Sequence, residues 1–423
     1  MVSKPLKELC IEGEIGKYGI PASAEDFSIK KTRYLRISDI DDFGNLMDND
    51  KKSVSSKDID KYILKEGDLV FARTGNSTGR AYYHELKNGT LAFAGFLIKY
   101  GLDSKKVNPK YLKYFTVSKQ YKNWVANLSV GSTRGNINAQ TFADCPILLP
   151  SQEQQNLLVK ILSSLDVKIE LNGKINKELE AMAKTLYDYW FVQFDFPDED
   201  GKPYKSSGGK MVCNQELKRE IPQGWEVKKL DDVIVKTGTG LNPRDNFKLG
   251  FGNNYYVTIK NIEQGKVILD DKCDKVDDEA LKIINKRSDL KVGDILFTSI
   301  QPVGVTYLIQ EQPKNWNINE SVFTVRPDYN LVSSDFLFML LSSDFMKAYT
   351  NNVSAGSIHK GVRHTDLKTF KFAYSGNEII KLFDKKIKPI LKKMYVNEQQ
   401  NQELAKLRDW LLPMLMNGQV SIK

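Results

Sequence analysis

The residues with a chemical bent are few, and they do not assemble into a reaction. His359 and His364 stand five apart. That spacing does not put both imidazoles on one helical face, as a shared metal would need. His84 stands alone. Asp198, Asp200 and Lys202 have the make-up of a metal-dependent nuclease centre, but they sit in a charged turn between glycines. The stretch TGTGLNP at 237–243 carries two glycines and lacks the third of a dinucleotide loop. There is no G-x-x-x-x-G-K-[ST] loop, and no N-P-P-[YF] or D-P-P-[YF] motif for methylating a base amine. NPKY at 108–111 is better explained as a helix start. Cys10, Cys145, Cys213 and Cys273 form no C-x-x-C pair and read as a reduced set. The expectation is a chain with no catalytic and no metal site.

Its elements, by contrast, recur. KEGDLVFART at 65–74 returns as KVGDILFTSI at 291–300. YLRISDI (34–40) returns as YVTIKNI (256–262). YLKYFTVSKQYKNWVANLSVGS (111–132) aligns with FLFMLLSSDFMKAYTNNVSAGS (336–357) at an offset of 225, with Tyr114 over Met339, Phe115 over Leu340 and Leu128 over Val353. NKELEAMA (176–183) matches NQELAKLR (401–408) at the same offset. Four matches in one order indicate a duplicated unit. The first part of each copy, 1–150 and 222–375, mixes strands and helices. DLVFA and DILFT follow Gly-Asp turns, AYYHE and VTYLI return, and Asn108-Pro109 and Ser334-Asp335 start helices.

The second part of each copy is a long helix, 151–193 and 376–423. Leu158, Ile161, Leu165, Lys168, Asn172, Ile175, Leu179, Met182, Leu186 and Tyr189 alternate in steps of three and four, as in a coiled-coil seam. Phe383, Ile387, Ile390, Met394, Asn397 and Asn401 do likewise, followed after a phase slip by Leu404, Leu407, Leu411 and Met414. Asn172, Asn397 and Asn401 are polar seam positions of the kind that fix register. Gly173 and Pro389 mark places for a bend. Asp166 to Glu178 spans 12 residues and Asp384 to Glu403 spans 19, which suggests one inserted heptad. Helices packed on each other are expected, against the plainer alternative of two helices lying on their own domains. The stretch 194–221, containing FPDEDGKPYKSSGGKMV, reads as a connector.

At 423 residues the chain has room for two to four domains, and 41 % apolar residues supply their cores. MVSKPLKELC opens with charge and no apolar run follows, so no signal peptide, no membrane span and a cytoplasmic setting are expected. A net charge of +9 suits nucleic acid and a merely solvated surface equally.

Several phrases then carry a family resemblance. LPSQEQQNLLVKILSSLDVKIELNGKINKELEAMAKTLYDYWF (149–191), FDFPDEDGKPYKSSGGKMV (194–212) and IPQGWEVKKLDDV (221–233) resemble the central helix, connector and second-domain entry of type I restriction–modification specificity subunits. The resemblance covers essentially the whole chain. One departure is YSGNEIIKLFDKKIKPILKKM (374–394), which lacks the Pro-x-x-x-Gln entry of Pro150 to Gln154. The resemblance implies an α/β (α+β) fold: two target-recognition domains separated by two antiparallel coiled-coil helices in a pseudo-two-fold tandem repeat. It implies a bipartite, asymmetric double-stranded DNA target. A 40-residue helix is about 60 Å long and a DNA turn about 34 Å, so the rod can set the spacer. It further implies two modification subunits that bind S-adenosylmethionine and methylate adenine, and restriction subunits that use ATP and Mg. This chain itself would hold no cofactor. The seam residues Leu158, Leu165, Ile175, Leu179, Leu186, Phe383, Ile390, Leu404 and Leu411 would carry the helix contacts.

DNA contact calls for Lys or Arg at phosphates and forked donors at bases. On this reading the first domain offers Arg73, Thr74, Asn76, Ser77 and Arg80, then Ser132, Thr133, Arg134 and Asn136. The second offers Ser299 and Gln301, then Ser357, His359, Lys360 and Arg363. The alternative is that Gly75, Gly79, Gly131, Gly304 and Gly356 merely make tight turns. A stand-alone nuclease or methyltransferase, and a scaffold that binds only protein, are the rival functions. Arg134→Ala is expected to weaken DNA binding; an affinity unchanged at fixed salt would remove this turn from the interface.

Overall fold

The repeated Gly-Asp phrase does one job twice in the computed structural model, which describes residues 2–128, 136–263, 265–355 and 361–417. Gly67 and Gly293 take φ of 84° and 90°, a left-handed turn that a side chain would strain. Asp68 and Asp294 then accept the N–H groups of Lys65 and Lys291, each at 2.8 Å. Both aspartates are buried and need a counter-charge. Lys99 supplies it in the first copy at 3.3 Å. Arg326 supplies it in the second through two hydrogen bonds of 2.7 and 2.9 Å.

The chain forms two units, Met1–Glu170 with Gln402–Lys423, and Leu171–Asn401. In the first, β2 (Lys17–Tyr18), β9 (Leu97–Gly101), β6 (Asp68–Ala72) and β7 (Ala81–Tyr83) make one antiparallel sheet in that order. A second sheet runs β3 (Glu25–Asp26), β5 (Lys52–Val54), β4 (Thr32–Leu35) and β8 (Leu91–Phe93), with β4 and β8 parallel. Strand β6 is buried on both faces, which is why DLVFA is unbroken by polar residues after its aspartate. Leu69 and Phe71 face α1 (Pro109–Phe115), α2 (Lys119–Leu128) and α3 (Ala139–Ala143), where Phe71 stacks on Phe142 at 4.7 Å. Val70 and Ala72 face Leu35, Leu91 and Phe93 on the other side. Asn108 caps α1 by accepting from Lys110 N at 3.0 Å. Strand β1 (Val2–Pro5) closes this body against β10 (Pro146–Leu149).

The second unit repeats the plan. Strands β13 (Glu226–Lys229) and β23 (Lys371–Tyr374) close it, and the main sheet runs β14 (Ile234–Thr239), β22 (Val322–Pro327), β19 (Ile295–Thr298) and β20 (Thr306–Leu308). The companion sheet is β18 (Asp274–Val276), β15 (Asn254–Val257) and β21 (Trp316–Ile318), again with one parallel pair, and β16 (Ile262–Glu263) and β17 (Lys266–Val267) form a small hairpin. Helices α6 (Ser334–Ser342), α7 (Asp344–Ala355) and α8 (His364–Lys368) follow. The cap of α6 is Ser333 rather than Ser334: its hydroxyl accepts from Phe336 N at 2.9 Å. Helix α5 (Asp278–Ser288) stands where the first unit has only the short turn Ile59–Tyr62.

The connector is more than a tether. Strands β11 (Met211–Asn214) and β12 (Arg219–Pro222) form a hairpin, and Phe194 and Phe196 are buried 5.3 and 5.1 Å from the Trp225 ring. Asp195 accepts from Ser206 N and Oγ. Asp198, singled out for its nuclease-like company, accepts from Asp200 N and Lys202 N and so caps a turn. Composition hid this because the aromatic anchors flank the glycine-rich centre.

Two long helices, α4 (Gln152–Tyr187) and α9 (Asn377–Met416), each contribute to both units, and a π turn, Asp188–Val192, follows α4. Both run unbroken through Gly173 and Pro389. Each starts three residues after its closing strand, 225 residues apart, so no inserted heptad separates them. The apolar stripe also drifts from the strict three–four alternation, because 3.6 residues complete a turn rather than 3.5. Leu158, Leu162, Ala183 and Tyr187 are buried, whereas Met182 is 57 % exposed and Tyr189 also faces solvent. In α9 Phe383, Ile387, Leu391, Leu412, Leu415 and Met416 are buried and Leu407 is 43 % exposed. Leu165, Ile175, Leu179, Leu186, Ile390, Leu404 and Leu411 are half-buried. Among the described residues no helix is long and apolar enough to cross a membrane.

The helices pair antiparallel within each unit. In the second, Asn172 donates to Asn401 at 3.0 Å and Asn397 donates to Asn176 at 2.8 Å. Asn172 and Asn397 are fully buried. In the first, Arg408 meets Asp166 at 3.1 Å, and Asp166 also takes bonds from Lys113 and Tyr114. Burial pushes the Asp166 carboxyl up, but these three donors outweigh it and hold its pKa below the ordinary value. The same positions 225 residues away are Leu391, Ala183, Phe338 and Met339, which line an open pocket of about 450 Å³ in the second unit. Charge in one copy is answered by apolar surface in the other.

Asn397→Ala is expected to cost about 1–3 kcal/mol, because Asn176 loses its partner inside the seam. Replacing Asn176 and Asn397 together with Leu is expected to cost less. Urea unfolding at fixed pH compares Asn176→Leu, Asn397→Leu and the double Leu variant; a double variant as damaged as the sum of those two singles would show the two amides to be uncoupled.

Candidate nucleic-acid interface

In the first unit the two candidate loops, distant in sequence, come together. Ile137 donates its N–H to the Arg73 carbonyl at 2.9 Å, and Thr74 bridges to Asn136. Arg73 Nε donates to Asn136 Oδ1 at 3.4 Å, and its guanidinium lies 5.1 Å over the Tyr18 ring. Tyr18 is held in turn, since its hydroxyl accepts from Ala139 N at 3.3 Å. Such a cation–π contact fixes the guanidinium plane while leaving the rest of its fork to a ligand. Asn76 is exposed in the turn Gly75–Ser77 beside it. Arg80 is drawn the other way. It donates to the Ile40 carbonyl at 3.1 Å and pairs with Asp42 at 2.6 Å, so it braces that turn.

The second unit joins its loops by the same bond: Val362 donates its N–H to the Ser299 carbonyl at 2.8 Å. The side chains differ. Ser299 is buried, and its hydroxyl donates to the Ser321 carbonyl at 2.8 Å, so it faces inward. Gln301 and Arg363 are exposed, and Arg363 N–H caps α8 through Asp366 at 3.2 Å. His364 sets its ring edge-on to Phe323 at 4.1 Å, and its Nε2 has no partner among the described residues. Burial lowers its pKa, and the charges of Lys368 and Arg287 act the same way against a Gly238 backbone bond, so the imidazole is neutral. Ser132, Thr133, Arg134, Ser357, His359 and Lys360 lie outside the described residues.

Reading the sequence alone missed Tyr18 and Arg287. Tyr18 sits in a two-residue strand with no pattern to mark it. Arg287 sits in the last turn of α5, the element without a counterpart in the first copy. Among the described residues no group of three or more His, Cys, Asp or Glu is placed to hold a metal.

Comparison with known proteins agrees with this architecture. The family model for the type I restriction modification DNA specificity domain matches residues 4–181 and again 222–407. The type I restriction enzyme MjaIX specificity subunit of Methanocaldococcus jannaschii is 27 % identical over 333 residues, covering 74 % of this chain and 69 % of the relative. The HindI specificity subunit of Haemophilus influenzae is 24 % identical over 419 residues, covering 85 % and 88 %. The crystal structure of a type I restriction–modification S subunit from M. genitalium shares the fold, with a TM-score of 0.58 at 14 % identity over 98 % of this chain and 95 % of that one. Two matched copies, spanning most of the sequence, place this chain in the type I restriction modification DNA specificity family, as a DNA sequence-recognition subunit.

Proposed function

We propose that each unit reads one part of a two-part, asymmetric double-stranded DNA target and that the paired helices set the spacing. One observation carries this reading. The bond that joins the loops is the same in both units, while the residues around it differ: Arg73 and Asn136 in one, Ser299 and Gly361 in the other. A common frame with unlike donors suits a reader of two unlike half-sites.

The chain supplies the address, in the cytoplasm, and performs no chemistry. S-adenosylmethionine belongs to two modification subunits, and ATP and Mg to the restriction subunits. The modification subunits dock on the outer faces of α4 and α9. Met182 and Leu407, exposed and 225 residues apart, are equivalent apolar positions there, and Trp410, 58 % exposed, adds to the second. Solvent-facing apolar side chains on an otherwise charged helix favour a protein partner.

Two measurements test this. Mapping methylated bases in cells that express the chain with its modification subunit is expected to return a two-part motif of fixed gap, with one modified adenine in each part. A continuous or palindromic motif would overturn the half-site reading. Met182→Glu or Leu407→Glu is expected to lower the modification subunits recovered with the chain from two to one, and the double variant to abolish recovery. Undiminished recovery of two would exclude these faces.

A further inference from the structure

Arg73 has no direct replacement in the second copy. Its equivalent is Ser299, which is buried and spends its hydroxyl on the Ser321 carbonyl. The equivalent of Asn136 is Gly361, which has no side chain to offer. The second unit has therefore lost the fork and its amide support at the one place where the loops meet.

An arginine reaches that neighbourhood from another element. Thr239 of β14 lies across from Phe323, as Tyr18 of β2 lies across from Ile98, so Thr239 occupies the place of Tyr18. Arg287 Nη2 donates to Thr239 Oγ1 at 3.4 Å, and its Nε donates to the Gly240 carbonyl at 3.3 Å. Phe323 in turn carries the His364 ring, one residue beyond Arg363. In both units an arginine thus lies at the end of the same edge strand: Arg73 over the Tyr18 ring with its Nε on Asn136, and Arg287 on Thr239 and Gly240. In the first it comes from the loop after β6; in the second it comes from α5.

Helix α5 is built to hold it still. Asp277 caps its start by accepting from Ala280 N at 2.8 Å. Ser288 Oγ donates to Asn317 Oδ1 at 2.7 Å, and the Asn317 amide donates back to Asn285. Lys236 holds the Ser288 carbonyl at 3.2 Å. The last turn of α5 is pinned to two strands, while Arg287 itself stays exposed. A rigid support under an exposed guanidinium is what precise readout of a base edge needs.

We propose that Arg287 is a specificity-determining residue of the second unit, taking there the part that Arg73 takes in the first, and that its fork recognises a base edge in the second half-site, most simply the O6 and N7 acceptors of a guanine. The inference rests on the reading that each unit recognises DNA.

The test selects duplexes from a randomised library with the full-length chain assembled with its modification subunits, comparing wild type with Arg287→Ala, Arg287→Lys and Arg73→Ala. Arg287→Ala is expected to lose about tenfold or more of its preference at one position in one half of the motif. Arg73→Ala is expected to disturb the other half. Arg287→Lys is expected to fail like alanine, because an ammonium keeps the charge but not the fork. Preferences unchanged in Arg287→Ala, with Arg73→Ala still altering its half, would overturn the assignment of Arg287 and leave the half-site reading intact. Lysine restoring the preference would overturn the role of the fork, since a point charge would then suffice at the base edge, and a uniform weakening of both halves would make Arg287 a phosphate contact and overturn its role in specificity. If neither arginine matters, the half-site reading at these loops falls with the proposal.

Discussion

Buried amides inside an apolar helix seam accept very few alternatives. The bonds from Asn172 to Asn401 and from Asn397 to Asn176 form only when α4 and α9 meet at one register. A slip of one heptad would leave amide groups without partners in a low dielectric, at about 1–3 kcal/mol for each such group. Leucines alone would tolerate that slip. The cores of both units run into this seam, through Leu158, Leu162, Leu412 and Leu415 in one and Ala183, Tyr187, Phe383 and Leu391 in the other. What the amides select, the apolar contacts then stabilise.

From that frame the candidate loops inherit their order. A Gly-Asp turn starts the central strand of each main sheet, and burial of that strand on both faces leaves it little freedom. The loop leaving its far end is caught by the segment before α3 or α8 through one backbone bond. Only then do side chains diverge. Arg73 leans on Tyr18, whereas Ser299 turns inward. The scaffold is held by main-chain and aspartate bonds that do not depend on what the loops display, so the display can change without disturbing the fold.

The repeat, the strands after the Gly-Asp turns and the two long helices were legible in the sequence, because turn glycines, their aspartates and heptad leucines leave marks at fixed spacing. Three things were not. The seam phase was misjudged at Met182 and Leu407 because a rule with a period of 3.5 was laid on a helix with a period of 3.6, and at Tyr189 because it falls in the π turn that follows α4. The packed connector was hidden because Trp225 lies far along the chain from Phe194 and Phe196, on the other side of a glycine-rich centre. Loop residues chosen by donor type split once their surroundings were known. Arg73 and Asn136 meet, Arg80 braces a turn and Ser299 is buried. Residue type cannot tell an arginine that serves the fold from one that serves a ligand; that depends on which acceptor lies within reach.

The unequal ends of the helix pair bear on how the chain avoids its own twin. Asn172 and Asn176 on α4 repeat as Asn397 and Asn401 on α9, so the amides are self-complementary. They would be satisfied as well by α4 meeting a second molecule's α4, or α9 meeting another α9. The ion pair breaks that degeneracy. Opposite Asp166, α9 presents Arg408, but another α4 would present Ala183; opposite Leu391, another α9 would bring Arg408 with only its neighbour Asp409 to answer it. A single charged contact, present in one copy of the repeat and absent from the other, therefore acts as a check on mispairing: it lets a chain made of two similar halves tell self from like.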